Sequence, residues 1–183
     1  MLHLQPGGRS EDCTPPEIME LHIGPAYEGR AISEQELDRF RSCLRRGRAP
    51  ALLDCWHGLI KDGLPPEKRD LNIRVMARFL PHVALIDCDT DDEARVHLAG
   101  AEVERIFGRR IAGSPVGNFS NFSGSLHEAL RQSLYRHDSV RYHVRKLDRA
   151  GRPSVTIGVL ELPVRGNHCA DDRLVLVHVE VLH

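Results

Sequence analysis

The segment Leu174–Leu182 alternates without a break. Val175, Val177, Val179 and Val181 point one way, while Leu176, His178, Glu180 and Leu182 point the other. Successive side chains of an extended chain project to opposite faces, and β-branched valine fits that conformation. One face is wholly apolar and must be covered; the other is half polar. A half-buried antiparallel strand meets both conditions. The chain therefore needs a sheet with cover on at least one side.

Partners for that strand can be read upstream. In Val140–Leu147, Val140, Tyr142 and Val144 alternate with Arg141, His143 and Arg145. The turn Asp148–Gly151 separates it from a further strand, Val155–Leu162. Earlier, Val83–Asp87 reads as a short strand, and Arg95–Ala99 as another with Val96 and Leu98 facing one way. The periodicity elsewhere is helical. Ser33 and Glu36 form a capping-box pattern, followed by Leu37, Phe40 and Leu44, with Gly47 as the stop; this predicts a helix over 34–46. Leu52, Trp56, Leu59 and Ile60 predict a second over 51–62, ended by Gly63. Asn72 and Pro81 bracket a third over 73–80. Residues 102–107 form a short helix before Gly108, and Ser125 with Glu128 opens one over 126–137. Between them, 112–125 holds Gly, Pro, Asn and Ser enough to be loop, with Phe119 and Phe122 as anchors to the core.

The order of elements predicts one α+β domain: a five-stranded antiparallel sheet, a helical crossover on one face, and N-terminal helices. Its length, 183 residues, fits a single domain. Residues 1–32 carry Pro6, Gly7, Gly8, Pro15, Pro16, Gly24 and Pro25 and read as a flexible arm. Residues 33–50 read as the N-terminal helix and 51–183 as the domain proper.

Several function classes are disfavoured. The charge is balanced, 25 Lys+Arg against 26 Asp+Glu, unlike a dedicated nucleic-acid binder. No stretch approaches the ~20 apolar residues that cross a bilayer, and the first residues lack the pattern of a secretory signal. The five cysteines, Cys13, Cys43, Cys55, Cys88 and Cys169, include no Cys-x-x-Cys pair; reduced thiols in the cytoplasm are the plain reading.

No cofactor motif emerges. The run Asp87–Glu93 begins like a calcium loop but has Asp92 and Leu98 where glycine and a bidentate acid belong. His168, Cys169 and Asp171 lie in a predicted turn, and His127 falls toward the polar side of its helix, away from a haem wall. Nucleophile elbows, phosphate loops and dinucleotide fingerprints are missing. Arg141, His143 and Arg145 share a strand face, read either as a solvated surface or as an anion or partner surface.

The arrangement resembles a PAS domain. The likeness is sharper to one bacterial group of stand-alone PAS proteins, with a Trp-bearing helix, a Gly-to-Leu-Pro step and a Leu-Pro before the first strand. The matching residues are Trp56, Gly63-Leu64-Pro65, Phe79-Leu80-Pro81, Val83–Asp87, Leu98-Ala99-Gly100 and Phe107–Gly113, within 53–182. The resemblance implies sensing or protein interaction in signal transduction, without chemistry of its own. It departs from the flavin-binding light sensors, whose Asn-Cys pair has no counterpart, since no cysteine lies between Cys88 and Cys169. The last predicted strand ends beside His183, so output is expected through a partner signalling protein.

Between sheet and crossover, a pocket for a small apolar ligand is expected from Leu98, Val103, Phe107, Phe119, Phe122, Leu130, Tyr142, Val144, Ile157, Val177 and Val179, with Tyr142 as its polar group. A solid core is the competing reading. Of the inward-facing residues only Tyr142 is polar, which weighs against a small enzyme of the ketosteroid-isomerase kind, where a buried acid is needed. A pure dimerisation module without ligand is the remaining alternative. The helices over 34–46 and 51–62 offer more apolar surface than one half-polar sheet face requires, so a homodimer through them is expected.

Overall fold

The computed structural model of the chain describes residues 18–22, 32–44, 47–88, 94–116, 139–149, 151–166 and 173–182. In chain order these carry strand β1 (Ile18–His22) and helices α1 (Glu34–Cys43), α2 (Ala49–His57) and α3 (Ile73–Met76). Strands β2 (Val83–Cys88) and β3 (Ala94–Ala99) follow, then helix α4 (Ala101–Phe107). Strands β4 (Ser139–Arg149), β5 (Arg152–Arg165) and β6 (Arg173–Val181) close the chain. The sheet order is β1-β4-β5-β6-β2-β3, with every neighbouring pair antiparallel. The five expected strands are present. The last pairs with the first of them inside the sheet, from Val83 opposite His178 to Asp87 opposite Leu174.

The sixth strand, β1, falls where an arm was expected. Ile18–His22 pair along Ser139–His143 of β4. Without them β4 would present a row of unpaired backbone groups at the sheet edge. Pro16 and Gly24 flank this strand rather than forbidding it, because five residues suffice for the pairing.

The first three helices are shorter than their apolar periodicity. α1 opens on the expected capping box: Ser33 Oγ accepts from the Glu36 N–H at 3.3 Å, and Glu36 Oε2 accepts from the Ser33 N–H at 3.0 Å. It stops at Cys43 because Leu44 turns extended and buries its own side chain. α2 starts at Ala49, with Pro50 in its first turn where no N–H is needed, and ends at Gly58. α3 is a single turn; Leu80–His82 then form a 3₁₀ turn that accommodates Pro81. The predicted helix over 126–137 lies outside the described residues.

Both sheet faces carry a core. On one, α1 and α2 bury Leu37, Phe40, Leu52, Leu53 and Trp56 against Val83, Leu85, Tyr142, Leu160, Leu162, Leu174 and Leu176. Trp56 Nε1 donates to the Pro163 carbonyl at 2.9 Å, which satisfies its only polar atom. Of the helix residues from which a dimer is expected, Leu37, Phe40, Leu44 and Trp56 are buried in this core, while Leu59 and Ile60 are half-buried. On the other face, α4 and the segment after it pack on Ala84, Ile86, Val96, Ile157, Val159, Val175, Val177 and Val179. The strands leading into α4 are locked by Gly100. Its N–H donates to the Val83 carbonyl at 2.8 Å, and a Cβ there would overlap the Leu80 and Pro81 carbonyl oxygens.

Candidate functional site

A cavity of ≈ 30 Å³ lies between α4 and the second sheet face. Ala84 and Ile86 of β2, Val96 of β3, Ile157 and Val159 of β5, and Val177 and Val179 of β6 form its floor. Val103 and Phe107 of α4, with Ile111, form its roof. Gly108, in the left-handed region at φ 73, ends α4 and turns the chain back. Glu104 Oε1 then accepts from the Ile111 N–H at 3.0 Å, which fixes the roof residue over the sheet. The edge of β3 is closed by backbone bonds from Val96 to Ser114 at 3.0 Å and from Gly113 to Val96 at 2.7 Å. A void of this volume admits roughly two water-sized groups, and an apolar wall gives a water no partner.

Five of the expected pocket residues, Val103, Phe107, Ile157, Val177 and Val179, stand in this wall. Phe119, Phe122 and Leu130 lie outside the described residues. Three expectations are corrected. Leu98 is 38 % exposed. A register shift between Leu85 and Ile86 sets Val96 opposite Ile86 but Leu98 opposite Leu85, so Leu98 follows Leu85 to the other face at the sheet edge. Tyr142 and Val144 also belong to the α1–α2 face: Tyr142 pairs with Leu160 and Val144 with Gly158. β4 alternates as the sequence predicts, with its two rows on the opposite sides of the sheet from those expected. Ala84, Ile86, Val96, Ile111 and Val159 were missed; Val159 was legible, being two residues from Ile157 on one strand.

The row of β4 on the cavity face is therefore Arg141, His143 and Arg145, and it is not a solvated surface. Arg141 and His143 are buried, and Arg145 is half-buried. In register, Arg145 lies opposite Ile157, His143 opposite Val159, and Arg141 opposite Glu161. Glu161 is the buried acid that the sequence did not announce, its side chain 1 % exposed. Its Oε1 lies 3.1 Å from His143 Nε2, close enough for an ion pair with a protonated ring but out of line for a hydrogen bond. Polar groups so buried are retained only with partners, and the Arg141–Glu161 rung supplies opposite charges side by side.

The opposite face carries its own buried histidine. His178 is fully buried, and no hydrogen bond reaches either ring nitrogen among the described residues. Burial, then the nearby His82 and Arg48, push its pKa down to about 4. The His82 ring centroid is 6.1 Å away. Glu180, two residues on, accepts from the Arg48 N–H at 3.2 Å, and burial pushes its carboxyl up.

No curated protein matches the chain. The family model described as "PAS domain" matches residues 47–177. Solved structures similar to the chain include three light-oxygen-voltage proteins. One is a domain studied with a flavin analogue, at 11 % identity and TM-score 0.47, covering 61 % of this chain and 84 % of that one. Another is a fungal photoreceptor domain, at 16 % identity and TM-score 0.42, covering 55 % and 74 %. The third is an RNA-binding receptor, at 14 % identity and TM-score 0.46, with 61 % of this chain matched to 33 % of that chain.

Proposed function

The chain belongs to the PAS domain family, and on that premise we propose that it is a non-enzymatic sensory and regulatory module in signal transduction. Its cavity between the sheet and α4 takes a small apolar ligand, and its output passes to a partner signalling protein. One observation carries the ligand reading: ten side chains from six separate segments surround a void with carbon alone. A domain of this size has every reason to collapse such a space, since an empty cavity costs stability. A cytoplasmic setting belongs to the same proposal; among the described residues no helix is long and apolar enough to cross a membrane.

Xenon is a suitable probe, because it enters small apolar cavities without needing polar partners. Methyl NMR of the full chain under xenon is expected to show shifts confined to Val103, Ile111, Ile157, Val159, Val177 and Val179. Val177→Phe fills the space and removes them. Shifts scattered over the surface, or none, would leave an interaction module without a ligand.

One feature favours a second reading, a small acid–base enzyme: the buried Glu161 beside His143. General-base work requires the carboxylate within reach of the substrate proton; Glu161 lies directly across from Val177 of the cavity floor but is not itself part of the lining. Exchange of an α-deuteron from a small ketone, abolished in Glu161→Gln with the fold retained, would establish that activity.

A further inference from the structure

We propose that the ligand of the cavity is a short, branched-chain carboxylate, its tail in the void and its carboxylate on Arg145, an inference that rests on the ligand-binding reading above. The argument begins with register. Two residues of the cavity floor, Ile157 and Val159, have Arg145 and His143 as their neighbours across β4. Directly opposed side chains of an antiparallel pair start only ~5 Å apart. The apolar void is thus bordered by Arg145 and His143 beside Ile157 and Val159, and by Glu161 beside Val177, all on the same sheet face.

The charges of that row do not cancel. Glu161 is the acid of the row, and it already has His143 at 3.1 Å and Arg141 on its own rung. Arg145 lies two residues further along the strand, opposite Ile157. Its Nε is buried, yet donates no hydrogen bond among the described residues. A guanidinium is always charged and its fork matches a carboxylate in two parallel bonds. A cation on the border of an apolar void selects a ligand with an apolar body and an anionic end.

Size narrows the class further. The ≈ 30 Å³ void holds roughly two water-sized groups, which fits the isopropyl end of a short branched chain, with one further carbon leading to the head group. Unbranched chains of six carbons or more would not fit without moving the roof at Val103 and Phe107.

Three probes share one skeleton and differ only in the head: isovalerate, 3-methylbutan-1-ol and 3-methylbutylamine. Affinities are read from methyl shifts of Ile157 and Val159 in the full chain. Isovalerate is expected to bind at least about tenfold tighter than the alcohol, with the amine weakest. Arg145→Met is expected to lower isovalerate to the alcohol's affinity and leave the alcohol unchanged; Arg145→Lys restores part of the difference. Equal affinities of acid and alcohol, or a preference that survives Arg145→Met, would overturn the inference. If xenon enters the cavity and the carboxylate shows no preference, the head-group assignment falls and the pocket reading stands. If neither xenon nor any of the three shifts those methyls, both fall.

Discussion

His178 is a neutral ring held where a charged one would be unsolvated. Its folded pKa of about 4 lies below the ordinary 6.5, so the unfolded chain takes up the proton first as pH falls. The stability linked to this group is complete above pH 6.5 and is lost progressively down to about 4, in total about 3 kcal/mol. Glu180 works in the opposite sense, since its raised pKa lets the folded state accept a proton early. His178→Leu separates the two: urea unfolding at pH 7 and pH 5 is expected to show wild type weakening and the variant holding steady or gaining. An equal loss in both would remove His178 as the cause. A second residue-scale outcome concerns Gly158, where a Cβ would meet Tyr142 Oη at 2.6 Å and Leu182 Cδ2 at 3.3 Å. Gly158→Ala is expected to cost about 1–3 kcal/mol, and clearly less in a Tyr142→Phe background; a cost unchanged by that background would place the strain elsewhere. Such close approaches explain what single residues hid. Tyr142 is apolar in its ring and polar at its tip, so alternation alone gave it to a row but not to a side. Glu161 shares the alternating row of Ile157 and Val159, but a charge argues against burial there; only the histidine and arginine of the neighbouring strand, His143 and Arg141, explain why it is buried.

At the scale of elements, strand positions followed from alternation because a residue's face changes at every step, whereas helix ends followed from contacts the periodicity does not contain. α1 stops because Leu44 is needed in the core, and α3 is a single turn although Leu80 continues its apolar spacing. The register shift in the β2–β3 pair was equally invisible, since one extra residue leaves no mark in composition. The junction between β3 and α4 rests on Gly100, where two carbonyl oxygens leave no space for a methyl group. Gly100→Ala is expected to lower stability by about 3 kcal/mol and to displace α4. Loss of the xenon response at Val103 with wild-type shifts at α1 and α2 would confirm a local effect. A variant as stable as wild type would show that the backbone at Leu80 and Pro81 yields.

For the whole molecule, among the described residues the two cores take in most of the apolar side chains of α1 and α2 and leave Leu59 and Ile60 half-buried. We keep the homodimer as a proposal and move its contact to β1, whose outer edge pairs with no strand among the described residues. Light scattering at tens of micromolar is expected to show a dimer for the full chain and a monomer once residues 1–24 are removed. A full-length monomer would end the proposal, and a dimer indifferent to the truncation would place the contact elsewhere. The segment that first demanded a sheet has a last consequence. β6 sends Val177 and Val179 into the cavity floor and His178 into the helix core. It is one peptide thick, so any displacement of β6 on the α4 side is also a displacement on the side of α1 and α2.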